Sequence, residues 1–328
     1  MRAMLCRDWG EPESLVFGEL PDPPPPGPGQ ARIAIAAAGV NFADLLMVAG
    51  RYQERPARPF APGLEAAGTV EAVGPGVAGF APGDRVMALL DDGGYADRAT
   101  LPVSDLFALP PTMDIATAAG FPITYGTAHG ALRWRLDLQP GETLLVLGAG
   151  GGVGLAAVEV GKALGATVIA AAGSADKLAL AARHGADHLI DYRRDDLRAR
   201  LKAICPGGLA ALFDPVGGEI FTTALRAMAW GGRIAIIGFA SGIVPQIPAN
   251  LLLVRNLTVH GLYWGSYRKH RPADLAAAFA ELFVWQAAGR LRPPPPAVRP
   301  LAEAAAALAA LRDRQVAGKL VLSLAEAP

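Results

Sequence analysis

Over residues 2–20, apolar and polar positions alternate around an acidic turn at Gly10-Glu11-Pro12-Glu13, which predicts two strands of an antiparallel sheet. The proline-rich stretch from Pro21 to Gly29 then reads as a stiff loop between strands rather than as a docking peptide. Ala31–Ala36 is a further strand, and Asn41 to about Ala49 is a short helix capped by Asn41 and ended by Gly50. Strands at Glu65–Val73 and Arg85–Leu89, parted by glycine and proline turns, carry an all-β, barrel-like region to about residue 105.

From Asp114 the period changes. Helical patterns at 114–120 and 124–135 lead into the apolar run Leu144–Leu147, a glycine cluster and a helix to about Leu164. A second unit follows, with strand Thr167–Ala172 and a helix to about Arg183, then a short strand at His188–Ile190. Helix 195–204, strand Leu209–Phe213, helix 218–229, strand Arg233–Ile237 and a last strand Thr258–Leu262 complete the rhythm. Repeated βα units with short loops imply a doubly wound parallel sheet, so the fold class is α/β. A helix at 273–288, a second proline run at Pro293–Pro296 and a helix at 301–313 lead to a closing strand at Lys319–Leu324. That strand has no partner nearby in sequence, so the chain is expected to return to its first domain.

The stretch Gly148-Ala149-Gly150-Gly151-Gly152-Val153-Gly154 joins a buried strand to a helix. Gly151 and Gly154 keep the spacing of the second and third glycines of a dinucleotide fingerprint, where one admits a pyrophosphate and the other lets helix pack on strand. Ala149 replaces the first glycine. Unpaired amides at the helix start would face the phosphates. At the tip of the next strand, where an NAD site carries a carboxylate for the ribose, stands Gly173. With that repulsion gone, Ser174, Lys177 and Arg193 can supply donors and positive charge to a 2′-phosphate, which favours NADPH. Lys177, next to Asp176, also reads as a plain solvated helix residue.

Composition narrows the function further. Thirty basic residues balance 30 acidic ones, so neither a nucleic acid nor an anionic membrane is expected as partner. With 328 residues, 52% of them hydrophobic, two packed domains are expected. No apolar run has the length of a membrane span and the N-terminus lacks a signal-peptide core, which predicts a cytoplasmic protein. Cys6 and Cys205 fit no metal spacing and suit a reducing compartment. The five histidines form no ligand spacing either.

Read together, Gly39-Val40-Asn41-Phe42-Ala43-Asp44, Pro62-Gly63-Leu64-Glu65-Ala66-Ala67-Gly68, Gly83-Asp84-Arg85-Val86 and Gly151-Gly152-Val153-Gly154 resemble the zinc-independent medium-chain dehydrogenase/reductase superfamily. Within it, the resemblance is to the NADPH:quinone oxidoreductase, or zeta-crystallin-like, family. Ala186–Tyr192, Phe213–Gly218 and Gly231-Gly232-Arg233 extend the match over the whole chain. The resemblance implies a GroES-like β-barrel domain from residues 1–122, a Rossmann NADPH-binding domain from 123–290, and a return segment, 291–328, completing the first. It also implies a homodimer paired through the Rossmann edge strand near 257–262.

Zinc-dependent relatives place a cysteine where this chain has Asn41, a histidine where it has Leu64 and a cysteine or carboxylate near Ala119. Only Glu65 survives, so no metal is expected, and Glu65 reads as a buried structural acid. The chemistry left is hydride transfer to an acceptor that needs little electrophilic help: a quinone or a related α,β-unsaturated carbonyl. The alternatives are an enoyl thioester reductase of the acrylyl- or crotonyl-CoA type and, in another class, a non-catalytic NADPH-binding structural or RNA-binding protein. The resemblance assigns Asn41 to the nicotinamide-side pocket, the alternative being that it is only the helix cap, and Tyr52 to the pocket mouth as proton donor or stacking wall. It adds Thr124, Thr127 and Tyr192 to the cofactor contacts read from the glycine turn and strand ends: Gly150, Gly151, Gly152, Val153, Gly173, Ser174, Lys177, Val216, Gly217, Phe239 and Ala240. Tyr263 and Trp264 are the candidate aromatic wall for a flat acceptor.

Overall fold

The computed structural model describes residues 1–324. In chain order, strands β1 (Arg2–Leu5), β2 (Val16–Glu19) and β3 (Gln30–Val40) precede helix α1 (Phe42–Val48). Strands β4 (Glu65–Val73), β5 (Arg85–Leu89), β6 (Arg98–Pro102) and β7 (Leu106–Ala108) follow, then helices α2 (Ile115–Ala119) and α3 (Phe121–His129). The alternating part holds β8 (Thr143–Leu147), α4 (Gly152–Ala163), β9 (Thr167–Ala172), α5 (Ala175–Arg183) and β10 (His188–Asp191). It continues with α6 (Leu197–Ile204), β11 (Leu209–Asp214), α7 (Gly218–Arg226), β12 (Met228–Ile236), α8 (Ala249–Arg255) and β13 (Thr258–Gly261). The chain ends with α9 (Tyr267–His270), α10 (Pro272–Ala287), β14 (Ala297–Pro300), α11 (Ala304–Arg312) and β15 (Leu320–Ser323).

Two compact units result, one of residues 1–123 with 294–324, the other of 124–293. In the first, β3 is the spine: it pairs antiparallel with β4, β6 and β15, and β14, β15, β3, β4, β5 and β7 lie side by side. The returning strand thus docks beside the longest strand of the N-terminal part, with Leu320 opposite Val40. Ile33, Val86, Leu308 and Leu322 are buried in the shared core, which is how two segments distant in sequence close over one apolar interior.

In the second unit, six strands run parallel in the order β10-β9-β8-β11-β12-β13. Numbered from β8, that is the 3-2-1-4-5-6 order of a dinucleotide-binding sheet, whose direction of winding reverses between β8 and β11. Leu144–Leu147 and Leu212–Phe213 are fully buried, as central strands covered on both faces require. Among the described residues no helix is long and apolar enough to cross a membrane.

Several boundaries differ from those the sequence predicts. The strand expected at 31–36 runs to Val40, because β15 supplies its last residues with a ladder partner. The helix expected over 218–229 stops at Arg226, where Arg255 Nη1 caps the carbonyls of Arg226 and Met228 and Met228 joins β12 beside β11. The helix expected over 124–135 is α3 followed by a wide π-type turn at Gly130–Arg135. The sequence pattern does not show β6, β7, β14, α8 or α9; the three strands have only 3 to 5 residues each and take their register from neighbours.

Candidate active site

The glycine turn after β8 is built by close approach. Gly148 takes φ 61°, in the left-handed region that favours glycine, and its carbonyl accepts from Gly151 N–H at 3.0 Å. A β-carbon on Gly154 would stand 2.8 Å from Gly148 C, so helix α4 can sit against its own strand only with glycine there. Gly151 caps α4 in extended backbone, leaving the first-turn amides of Gly152, Val153 and Gly154 without intrahelical acceptors. Such a turn receives an anion, since amides and helix dipole both favour negative charge.

The other predicted cofactor residues of this unit gather at the carboxyl ends of the same strands. A β-carbon on Gly150 would stand 2.7 Å from Lys177 Cγ, so the Lys177 stem lies across the glycine turn. A β-carbon on Gly173 would stand 3.0 Å from Arg193 Nε and 3.1 Å from Tyr192 Oη. Ser174 caps α5 by position while its side chain makes no capping bond. At the reversal point, a β-carbon on Gly148 would stand 3.1 Å from Val216 Cγ2, which puts the turns after β8 and β11 side by side. Phe239 lies against Gly217 and is 37% exposed, and the Ala240 N–H donates to Pro215 O at 3.0 Å. Thr124 and Thr127 are buried on α3.

The two aromatic candidates differ in setting. Tyr263 is 38% exposed, whereas Trp264 is buried. The Trp264 ring covers Gly126, where a β-carbon would stand 2.7 Å from Cε2, and meets Phe279 edge-on at 6.1 Å.

Asp214 was not among the predicted site residues. Fully buried at the end of β11, it accepts the N–H groups of Val216 and Gly217 at 2.8 and 2.9 Å and so shapes that turn. Burial raises its carboxyl to about 6 against those two hydrogen bonds. An aspartate three residues before a glycine pair, bonded to the amide two residues on, is the signal of an Asx turn, and that signal lies in the Asp214-Pro215-Val216-Gly217-Gly218 phrase.

In the first unit, a polar cluster surrounds Asn41. Asn41 Nδ2 donates to Glu65 Oε1 at 2.8 Å, and Lys319 Nζ donates to Glu65 Oε1 at 2.6 Å and to Asn41 Oδ1 at 2.7 Å. The Ile123 N–H donates to Glu65 Oε2 at 2.8 Å. Glu65 is fully buried, so its charge is paid for by an ammonium and two N–H groups. Asn41 also starts α1, its N–H donating to Asp44 Oδ2 at 2.8 Å, and Tyr95 Oη reaches the same oxygen at 2.8 Å. Tyr52 is half-buried beside this unit's core. Lys319 was not predicted: 254 residues separate it from Glu65, and only the pairing of β15 with β3 brings it there.

No group of three or more histidine, cysteine, aspartate or glutamate side chains placed to hold a metal occurs among the described residues.

The comparisons agree with this architecture. A model described as alcohol dehydrogenase GroES-like domain matches residues 27–111, and one described as zinc-binding dehydrogenase matches residues 152–282. The chain is 39% identical to cattle (Bos taurus) quinone oxidoreductase-like protein 2, over 98% of this chain and 92% of that protein. It is 32% identical to the quinone oxidoreductase of Lama guanicoe, over 99% and 98%. The crystal structure of Escherichia coli quinone oxidoreductase complexed with NADPH superposes with a TM-score of 0.92 at 30% identity, over 98% of this chain and 100% of that one. Identity of this extent, across both units and with the zinc-ligand positions filled by Asn41 and Leu64, decides the matter: the chain belongs to the quinone oxidoreductase family of zinc-independent medium-chain dehydrogenases/reductases.

Proposed function

We propose that the chain is an NADPH-dependent oxidoreductase that transfers hydride to a quinone or a related α,β-unsaturated carbonyl without a metal. The observation that carries this reading is the glycine turn at the reversal point of the sheet, with Lys177, Tyr192 and Arg193 gathered around Gly150 and Gly173. The residues fit the cofactor: the amides of Gly152 and Val153 suit a diphosphate, and the absence of side chains at Gly150 and Gly173 lets Lys177, Tyr192 and Arg193 close in on the turn. No carboxylate stands at Gly173 to repel a 2′-phosphate. NADPH, when bound, supplies the hydride. The relatives from cattle and Lama guanicoe carry quinone oxidoreductase names, and the Escherichia coli structure contains NADPH.

The chain's own residues bind and orient. Gly150, Gly151, Gly152 and Val153 hold the diphosphate; Gly173, Ser174, Lys177 and Tyr192 hold the adenosine side; Thr124, Thr127, Val216, Gly217, Phe239 and Ala240 line the rest of the cofactor. Asn41 and Tyr52 act on the acceptor side, Tyr52 as proton donor or stacking surface, with Tyr263 as an aromatic wall and Trp264 packed behind Gly126. A quinone needs little more than this, because its reduced form is aromatic. The donor set does not suit zinc: Asn41 and Leu64 replace two ligands, and the surviving Glu65 is engaged by Lys319. The edge strand β13 is paired on one side only and suits a homodimer through 257–262, and the free thiols of Cys6 and Cys205 suit the cytoplasm.

The test is NADPH oxidation with 1,4-benzoquinone, 9,10-phenanthrenequinone, an enone and crotonyl-CoA as acceptors. Turnover of the quinones or the enone with NADPH above NADH is expected. A strong preference for crotonyl-CoA overturns the quinone assignment, and tight NADPH binding with no turnover makes the protein a non-catalytic binder.

A further inference from the structure

The polar cluster of the first unit leaves one donor unspent. Asn41 carries two amide hydrogens and a carbonyl oxygen. One hydrogen goes to Glu65 Oε1 at 2.8 Å, and the oxygen takes Lys319 Nζ at 2.7 Å. Lys319 Nζ completes its set on Val40 O at 3.0 Å and Glu65 Oε1 at 2.6 Å. The second hydrogen of the Asn41 amide has no acceptor among the described residues.

The backbone is shaped to admit this arrangement. A β-carbon on Gly39 would stand 2.7 Å from Glu65 Cδ, and one on Gly120 would stand 2.7 Å from Lys319 Cγ. Lys319 lies 11% exposed and Glu65 fully buried, so the pair is held rather than solvated. An ammonium on the amide oxygen and a carboxylate on one amide hydrogen fix which way the amide faces. A cation at the oxygen also draws electron density from the nitrogen, which strengthens the remaining N–H as a donor.

We infer that Lys319 is a positioning residue for the reaction: together with Glu65 it orients and polarises the Asn41 carboxamide so that its free N–H donates to the carbonyl oxygen of the acceptor. The inference rests on the proposed function, and specifies which donor serves the acceptor. When the acceptor receives hydride it gains two electrons, its carbonyl oxygen takes up the negative charge, and one proton, from solvent or from Tyr52, completes the reduction while NADPH leaves as NADP⁺. A donor aimed beforehand at that oxygen stabilises the charge as it develops. A quinone already places this charge well, whereas an enone depends more on the donor.

The test compares the wild-type protein with Lys319→Met, Lys319→Arg and the double variant Lys319→Met/Glu65→Gln, which removes both charges and so avoids a lone buried carboxylate. Two readouts are taken. The first needs no turnover: the side-chain amide resonances of Asn41, identified by their loss in Asn41→Ala, should shift and broaden in the double variant and stay near their wild-type positions in Lys319→Arg. Unmoved resonances in the double variant overturn the inference even if the protein reduces nothing. The second is single-turnover hydride transfer at saturating NADPH: the double variant should lose about 30-fold or more with an enone and less with 1,4-benzoquinone, NADPH affinity should stay within about threefold, and Lys319→Arg should recover much of the rate. Equal losses for both acceptors, or a fall in thermal stability with unchanged hydride transfer, reduce Lys319 to a structural ion pair. If wild-type protein fails the acceptor panel while the amide resonances move as expected, the proposed function falls and the orienting role of Lys319 stands.

Discussion

His184 Nδ1 lies 2.5 Å from Glu159 Oε1, and the other oxygen of the same carboxylate accepts Tyr125 Oη at 2.7 Å. Arg292 N–H adds a third donor at 3.1 Å. Glu159 is buried midway along α4, so one side chain ties together the helix of the glycine turn, the end of α5, the α3 segment that carries Thr124 and Thr127, and the chain leaving the parallel sheet. Glu159→Ala would take the carboxylate acceptor from the buried Tyr125 hydroxyl, from His184 and from the Arg292 amide, and should cost about 3 kcal/mol, as buried donors cost roughly 1–3 kcal/mol each. Glu159→Gln keeps an acceptor and should cost about half as much. Urea unfolding of the two variants measures the difference, and equal costs would show that the network does not hold the unit together.

Acidity should matter through Asp44. Its burial raises the carboxyl to about 7, with Glu65 adding to the rise and the Asn41 N–H, the Tyr95 hydroxyl and the Lys319 charge opposing it. A carboxyl raised on folding binds its proton more tightly in the native state, so its contribution is fully present below the unfolded value near 4 and is lost as pH climbs to about 7. Asp214, raised to about 6, acts in the same direction. Asp44→Asn should therefore flatten the decline of stability between pH 4 and 7, by an amount approaching about 4 kcal/mol across that window. Denaturant midpoints collected at several pH values for both proteins check this, and parallel curves would refute it.

Coenzyme choice should turn on Gly173. Gly173→Asp places a carboxylate at the strand tip, near Arg193 Nε and Tyr192 Oη, where it would accept from a ribose 2′-hydroxyl and repel a 2′-phosphate. The NADPH:NADH ratio of kcat/KM should fall about a hundredfold, which is about 2.7 kcal/mol of discrimination. Lys177→Ala should lower NADPH affinity with little effect on NADH. A ratio that does not move would place the 2′-phosphate elsewhere.

Tyr52→Phe separates two roles for one side chain. If the ring only stacks on the acceptor, phenylalanine keeps most of the turnover; if the hydroxyl gives a proton, enone reduction should drop about a hundredfold while quinone reduction changes less. The pH profile of kcat distinguishes them further, since loss of a proton donor removes an alkaline limb.

The sequence alone determined the alternation of strands and helices from β8 to β12 and the place of the glycine turn. There the local rules and the tertiary fold agree: a fully apolar strand such as Leu144–Leu147 can only be central, and Gly154 can only be a close packing point. The starts of β4, β5, β9 and β11 were legible for the same reason. Short strands such as β6 and β14 were not, because 4 or 5 residues carry too little periodicity and their pairing is chosen by β3 and β15. Asn41 could be singled out as a chemistry-bearing residue and Glu65 as a buried structural acid, but what joins them could not, since an ammonium that meets both comes from Lys319 at the far end of the chain. Lysine is also the residue least expected in an interior, and only the antiparallel docking of β15 on β3 makes its burial affordable by bringing Val40 O, Asn41 Oδ1 and Glu65 Oε1 within reach of one nitrogen. Local pattern thus fixed the longer strands and helices, while long-range pairing decided the short strands and which charges share a site.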